Sequence, residues 1–515
     1  MPPHRSRRKP RAPMLPTNYL RFIDESDPFF VQIVELISPE MTVDFDRNIP
    51  KLVNLLNSNP EQACGVVEHA VKFFDRSLVS GIPFDLNDPN MKDAVERVFT
   101  GLVLLSRIFR CFKLRQSDMR ALEDMCLPHI VERWTDVIGW IVELIAGAGQ
   151  ALNGHQIFGL CAETLESIIQ NANENPSKQE LISLPAAAHA VCLLLCQIPK
   201  SIEGYFYIVG PADECIIIEL LSSFLSTETG HQSFTLALKS YDKKMKRRVI
   251  MSLTERPGQF VSSPAGEQDS EMMLSVAKSL LHLLQGVAPV LQDEDILHCF
   301  LRHNFIGVSA YALDSLAKKR VFAPYDVEFW NFLSNATISF FQDIVLKRAK
   351  SPHPAFAQAV QEGLLRCAER CLLQVKSEEL QESLLCRVIA EACNYFTFHD
   401  GLFARGRCYS HDLMANVFAK YPHDRYPMIT SYTHCIVESG DAFKEGTDRF
   451  VSICSNLNHS QGPLNVNTNE GNDSKIKLCS RCRMVQYCST QCQKEDWHSL
   501  HSKECRTLAC LYRGV

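Results

Sequence analysis

The sequence is short of four things that would place a 515-residue chain quickly. Long uninterrupted apolar runs are missing. Two long uncharged stretches, Leu144–Ala162 and Leu181–Pro199, are 19 residues each. The first is broken by Gly147, Gly149, Gln150, Asn153, His155 and Gln156, the second by Pro185, His189 and Gln197. Its continuously apolar part is only Ala190–Cys196, far short of the ~20 residues a membrane span requires. Buried helices are the expectation, with no membrane partner. The opening residues 1–16, "MPPHRSRRKPRAPMLP", contain no apolar core of a secretory leader.

Catalytic signatures are missing too. Gly147-x-Gly149-x4-Gly154 misses the dinucleotide spacing because Leu152 stands where a glycine is needed. There is no phosphate-binding loop ending in Gly-Lys-Ser/Thr, no His-Glu-x-x-His and no Gly-x-Ser-x-Gly. Strand-like alternation is scarce; Tyr205–Val209 comes nearest. A strong charge of one sign is also lacking. The net charge of −6 gives no overall basic surface for nucleic acid.

Cysteine, by contrast, is plentiful: 21 residues, an odd number. Fourteen precede residue 454 and scatter through apolar stretches. A secreted disulfide framework is shorter and more regular. These read as reduced core cysteines of an intracellular protein, resident in nucleus or cytoplasm. Cys192–Cys196 and Cys367–Cys371 have a spacing that zinc ligands use, but lie in apolar helices without two further ligands nearby; core packing is the expectation.

Helical periodicity runs from about Tyr19 to Phe443. Val95, Val98, Leu102, Leu105, Phe109 and Phe112 step by three and four, the stripe of one helix face. Phe329, Leu333, Ala336, Phe340 and Ile344 repeat it. Similar stripes occupy Ile33–Ile37, Val66–Phe74, Val137–Ile145, Ile157–Ile169, Ile216–Leu225, Met273–Leu284, Leu364–Val375 and Leu384–Tyr395. Helix-start signals stand between them, as at Ser26-Asp27-Pro28, Asn59-Pro60 and Ser351-Pro352. Many amphipathic helices with short connections, over 400 residues, predict an all-α, irregular armadillo- or HEAT-like solenoid spanning residues 17–447.

Two basic segments stand out. Residues 1–16 carry Arg5, Arg7, Arg8, Lys9 and Arg11 among prolines and read as a disordered tail, either a nuclear address, a phosphate contact or simply solvated. Lys243, Lys244, Lys246, Arg247 and Arg248 form the densest cluster. That cluster reads as a nuclear signal, an anion patch or a solvated helix face. Thr254–Ser270, rich in Gly, Pro, Ser and Gln, is expected to be a long loop between two halves of the helical region.

The remaining cysteines concentrate at the C-terminal end. The pattern is Cys454-x4-His459-x19-Cys479-x2-Cys482-x5-Cys488-x3-Cys492-x8-His501-x3-Cys505. Eight such ligands suffice for two closed tetrahedral zinc sites. Cys479 and Cys482 make a short knuckle. Cys488 and Cys492, four apart, share a face if they lie on one helix, and His501 and Cys505 repeat that geometry. The segment is polar, with too little apolar material to fold by burial, so metal is expected to hold it. Eight ligands for two ions leave no open position for a reacting water, so the zinc is structural.

The words "CSRCRMVQYCSTQCQKEDWHSLHSKEC" resemble the MYND-type zinc finger family. The likeness rests on the paired cysteines, Tyr487–Cys488, Cys492–Gln493, Asp496–Trp497, and the closing His501 and Cys505. It covers about 52 residues, 454–505, with His459 where the family usually has cysteine and a longer insertion before Cys479. The resemblance implies an interleaved pair of zinc ions. One takes Cys454, His459, Cys488 and Cys492; the other takes Cys479, Cys482, His501 and Cys505. Trp497 to His501 is one residue longer than in many members, so His498 is a rival ligand. The resemblance also implies a dock for short proline-containing peptides of partner proteins, lined by positions matching Ser480, Gln493 and Trp497, often in transcriptional control.

Two other classes compete with this reading. Some lysine methyltransferases carry a MYND finger within a SET domain and an Asn-His-Ser-Cys motif. Here Asn458-His459-Ser460 is followed by Gln461 and no strand-rich domain surrounds it, so no enzyme is expected. Nucleic-acid binding is the other alternative: Lys475–Arg506 holds seven Lys or Arg against three acidic residues, without the base-reading helix of a Cys2His2 finger.

Overall fold

The structure is a computed structural model. It describes residues 27–37, 45–79, 88–114, 116–151, 154–198, 215–262, 270–319, 321, 325–346, 353–375, 381–389, 477–481, 486–487, 489–502 and 505. The basic tail, Tyr205–Val209, Ser351-Pro352 and the expected domain boundary between 447 and 454 lie outside these residues. The chain divides into two compact units, Met1–Arg348 with Ala359–Leu385, and Ala349–Gln358 with Cys386–Val515.

The first unit is helical throughout its described residues. It opens with α1 (Pro28–Ile37), α2 (Phe45–Ser58), α3 (Pro60–Lys72), α4 (Pro89–Leu114), α5 (Gln116–Ala151) and α6 (Gly154–Ile169). There follow α7 (Pro176–Ser183), α8 (Pro185–Leu195), α9 (Ile216–Leu225), α10 (Glu228–Ser240), α11 (Lys243–Ser262) and α12 (Ser270–Val290). Next come α13 (Glu294–Arg302), α14 (Phe305–Ala317), α15 (Asp326–Ser339) with a π-helical extension Phe340–Leu346, α16 (His353–Gln361), which straddles the two units, and α17 (Leu364–Gln374). Residues 381–389 are also helical.

Packing orders these helices into two rows. α4, α6, α9, α12, α15 and α17 each pack on the next, and so do α3, α5, α8, α11, α14 and α17. The rows meet where α4 touches α5, α8 touches α9, α11 touches α12 and α14 touches α15. Two stacked layers of helices, each touching its nearest neighbours, are the organisation of a helical solenoid. The stripe from Val95 to Phe112 falls in α4 with every named member buried. Phe329, Leu333 and Ala336 lie buried in α15, and the stripe continues through the π-helical turn, where Phe340 and Ile344 are also buried.

Caps end some helices as the sequence implies. The Asp27 carboxylate accepts from Phe29 N at 2.9 Å and Phe30 N at 3.4 Å, satisfying first-turn donors of α1. Asn59 precedes α3 but makes no such bond; its Nδ2 donates instead to the Leu55 carbonyl at 3.3 Å. The long uncharged runs are each split between helices, α5 with α6 and α7 with α8. α12 is the one described helix long and apolar enough to cross a membrane; 78% of its apolar window is buried inside the protein, against α9, α15 and their neighbours.

One expectation is corrected. Thr254–Ser270 is not a loop along its length, because α11 runs on to Ser262 and α12 begins at Ser270. The continuation depends on tertiary burial that composition does not reveal. Thr254, Arg256, Pro257 and Phe260 are buried, and Arg256 Nη2 donates to the Leu195 carbonyl at 2.9 Å. A proline inside a helix forfeits one backbone hydrogen bond. Here the surrounding contacts hold the helix through Pro257.

The helical region's described cysteines are free thiols, all buried except Cys299. Burial pushes the Cys111 and Cys161 thiols up to about 12 and Cys196 to about 11, so they stay protonated. Cys367 and Cys371 face each other at 4.0 Å, with the Thr337 hydroxyl 3.3 Å from Cys367 Sγ. These are core groups.

Candidate metal centre

The described finger begins with two short strands. β1 (Lys477–Leu478) pairs antiparallel with β2 (Gln486–Tyr487), Lys477 opposite Tyr487 and Leu478 opposite Gln486. Cys479 follows β1 directly. After β2, Ser489 adopts an extended backbone and its Oγ accepts from Cys492 N at 3.1 Å, capping α18 (Thr490–Asp496). The described helix begins at Thr490 and carries Cys492; the reading that Cys488 shares a helix face with Cys492 falls on a residue outside the described ones. A π-helical turn, Trp497–His501, follows α18.

That path brings three chemical groups together. Ligand atoms of Cys479, His501 and Cys505 all lie within 4.8 Å of one another. The three residues are 3%, 1% and 0% exposed. The sulfurs of Cys479 and Cys505 are 3.7 Å apart. A disulfide would hold them at ~2.05 Å. A tetrahedral zinc with Zn–S bonds of ~2.3 Å holds two sulfurs about 3.8 Å apart. Two thiolates and an imidazole, buried and converging at that separation, fit zinc. Among the described residues no other group of His, Cys, Asp and Glu converges in this way.

The other candidate residues fall as follows. Cys454, His459, Cys482 and Cys488 lie outside the described residues. Cys492 is buried on α18, apart from the three-residue cluster. His498 is exposed and stands outside the cluster that contains His501. Ser480 is exposed, Gln493 half-buried, and Trp497 36% exposed. The backbone N–H of Trp497 donates to the Gln493 carbonyl, so the two residues are one helical turn apart on neighbouring positions of a face.

The structure also supplies a contact that spacing does not announce. Tyr487 Oη donates to Asp496 Oδ2 at 2.7 Å, with both residues buried. This bond ties the second strand to the end of α18. The His501 ring then sits edge-on between two aromatics, with centroids 6.3 Å from Tyr487 and 5.7 Å from Trp497. The Tyr487-Cys488 and Asp496-Trp497 steps were visible as words. Their pairing across nine residues was not.

A hairpin, a capped helix and a buried Cys/His/Cys cluster define a small zinc-stabilised finger. Residues 465–505 match the MYND finger family, and this segment is a MYND finger. Such fingers are in general zinc-binding modules of protein–protein interaction, not centres of catalysis. No solved structure matches the chain.

Proposed function

We propose that the protein is a non-enzymatic adaptor, in which the helical solenoid offers extended surface and the finger docks short proline-containing peptides of partner proteins, in transcriptional control. In this reading two structural zinc ions hold the finger. Cys482 completes the site of Cys479, His501 and Cys505, and Cys454, His459, Cys488 and Cys492 hold the second ion. Ser480, Gln493 and Trp497 form the peptide groove. Residence in nucleus or cytoplasm goes with it.

The exposure of Trp497 beside the buried cluster carries this reading. Tyr487, the finger's other described aromatic, is 1% exposed, whereas Trp497 is 36% exposed. Its ring leans edge-on against His501, so a metal that fixes His501 also fixes the tryptophan. A preorganised aromatic face can stack on proline rings, while Ser480 and Gln493 supply polar contacts for an extended backbone.

The test uses the zinc-loaded full chain against an array of proline-containing peptides, with hits measured by fluorescence anisotropy. Trp497→Ala is expected to weaken binding at least tenfold, the loss usual for a central aromatic anchor. Zinc content should not change. Unchanged peptide affinity in Trp497→Ala sinks the groove. Binding to DNA or RNA that falls steeply with salt, with no peptide hits, would favour the nucleic-acid alternative.

A further inference from the structure

Cys64 on α3 and Cys126 on α5 are 62 residues apart in the chain, and their sulfurs are 3.4 Å apart. The two helices pack directly on each other. The separation is shorter than the 3.7 Å between Cys479 and Cys505 in the metal centre. Among the described residues no third His, Cys, Asp or Glu converges on the pair. Two sulfurs without further ligands do not make a zinc site, so the chemistry open to them is that of a dithiol. Cys367 and Cys371 are the nearest comparison. They stand four apart on one helix, 4.0 Å between sulfurs, both fully buried, with the Thr337 hydroxyl against Cys367.

Access and flexibility set the first pair apart. Cys126 is 0% exposed, but Cys64 reaches the surface at 8%. Its neighbours Glu61, Gln62 and Gly65 are exposed, and nothing stands within 4 Å of where a Gly65 side chain would begin. A small molecule can therefore approach α3 beside Cys64. Closing the gap to the ~2.05 Å of a disulfide takes about 1.4 Å. Pro128 lies inside α5, two residues beyond Cys126. Its missing N–H leaves the Asp124 carbonyl without its helical donor, and helices bend most readily at such a place. The backbone thus has a point of give within one turn of the buried sulfur.

We propose that Cys64 and Cys126 are a redox-modification site, a dithiol that a small disulfide such as glutathione disulfide converts to a cross-link between α3 and α5. The Cys64 sulfur attacks one sulfur of glutathione disulfide. A mixed disulfide forms, and the first glutathione leaves with the Cys64 proton. Cys126 then attacks the Cys64 sulfur, the mixed S–S bond breaks, and the second glutathione leaves with the Cys126 proton. Two protein thiols are oxidised and one glutathione disulfide is reduced to two glutathiones. Burial, with the neighbouring Cys64 sulfur, pushes the Cys126 thiol up and so disfavours its ionisation. Its position 3.4 Å from the target offsets this, because positioned groups react as though at very high concentration. In compartments that keep thiols reduced, such bonds are transient and report redox state. This one would fasten two helices at the start of a solenoid row.

The test places the full, zinc-loaded chain in glutathione buffers of rising disulfide-to-thiol ratio, blocks the free thiols and maps peptides by mass spectrometry. A linked Cys64–Cys126 peptide is expected at a ratio about tenfold lower than any oxidation of Cys111, Cys161, Cys367 or Cys371, and dithiothreitol should remove it. Cys126→Ala should stop at the mixed disulfide of Cys64 with glutathione, and Cys64→Ala should leave Cys126 reduced. Absence of the linked peptide in the parent would overturn the proposal, and that result needs no variant to fold. So would earlier oxidation of the fully buried cysteines, or loss of zinc before the cross-link appears. Cross-linking seen only when denaturant is added would overturn it too, since it would show that the two thiols react only in the unfolded chain.

Discussion

The helical region and the finger use the same residue type for opposite purposes. The described cysteines of the helical region, Cys299 apart, are buried, and burial pushes Cys111 and Cys161 up to about 12, at Cys111 against the opposing charges of Arg110 and Arg107. They behave as small hydrophobes. In the finger, Cys479 and Cys505 are as deeply buried, yet they face each other at 3.7 Å with His501 alongside. Burial is equal in the two regions, so what separates the two roles is what lies beside the sulfur. The surrounding material differs in the same way. Helical layers bury Trp134, Trp140, Phe109, Phe158 and many aliphatic side chains. At about 1.5–3 kcal/mol for each large apolar side chain, that burial suffices to order helices against one another. The finger's described buried residues are Cys479, Tyr487, Cys492, Asp496, His501 and Cys505. Only Tyr487 among them brings a large apolar surface.

The largest expected effect breaks the finger and spares the helices. A chelator in excess, or Cys505→Ser, should unfold the finger, since structural zinc supplies on the order of 10 kcal/mol or more of folding free energy. Far-UV circular dichroism of the full chain should keep its helical spectrum, while native mass spectrometry shows the lost metal. His498→Ala should lose none, because that side chain is exposed and outside the cluster. A finger that keeps a native Trp497 fluorescence signal after complete metal removal contradicts the contrast between the two regions.

A smaller effect tests the helical region by charge. Glu369 on α17 is 0% exposed, and neither of its carboxylate oxygens has a hydrogen-bond partner. Arg366 and Arg370 pair with Asp314 instead, at 3.0 and 2.6 Å. Burial pushes the Glu369 carboxyl up to about 8 from 4.5, opposed by the two arginines and assisted by Asp314. The folded protein therefore holds this proton more tightly than the unfolded chain. Stability falls as pH rises from 4.5 towards 8, and the penalty is complete above that range. Glu369→Gln should raise stability by a few kcal/mol at pH 9, given about 1.4 kcal/mol per pKa unit, and change little at pH 5. Denaturant unfolding at the two pH values measures it. Equal effects at both would show that the carboxyl is not held neutral.

The two regions were also legible to different degrees. Helix identity in the layers followed from side-chain period, as the α4 stripe from Val95 to Phe112 illustrates. The end of α11 did not, because it is ordered by buried polar and cyclic residues, Thr254, Arg256 and Pro257, that carry no apolar period. Periodicity names the elements; it does not say that α4 packs on α6 and α3 on α5. In the finger the reverse holds. Ligand spacing marked Cys479, His501 and Cys505, because metal chemistry restricts both residue type and distance. The strands were too short to leave an alternating pattern at two residues each. Spacing to Cys505 already favoured His501 over its rival His498, and His501 is the histidine that converges with Cys479 and Cys505.

The smallest expected effect concerns the Tyr487–Asp496 bond. Tyr487→Phe keeps the ring, its packing and its edge-on relation to His501, and removes only the donor to Asp496 Oδ2. Hydrogen bonds to charged groups contribute about 1.5–3 kcal/mol. Asp496 is buried and loses a donor, so the cost should lie in that range. The bond joins β2 to the end of α18, where the chain turns into the Trp497–His501 segment. Its loss should loosen that turn and speed zinc release to a chelator, while equilibrium zinc content at saturating metal stays the same. Stopped-flow chelation of the full chain reads the rate directly. An unchanged rate would mean that zinc ligation alone sets the position of His501, and that the strand-to-helix bond braces nothing the metal does not already hold.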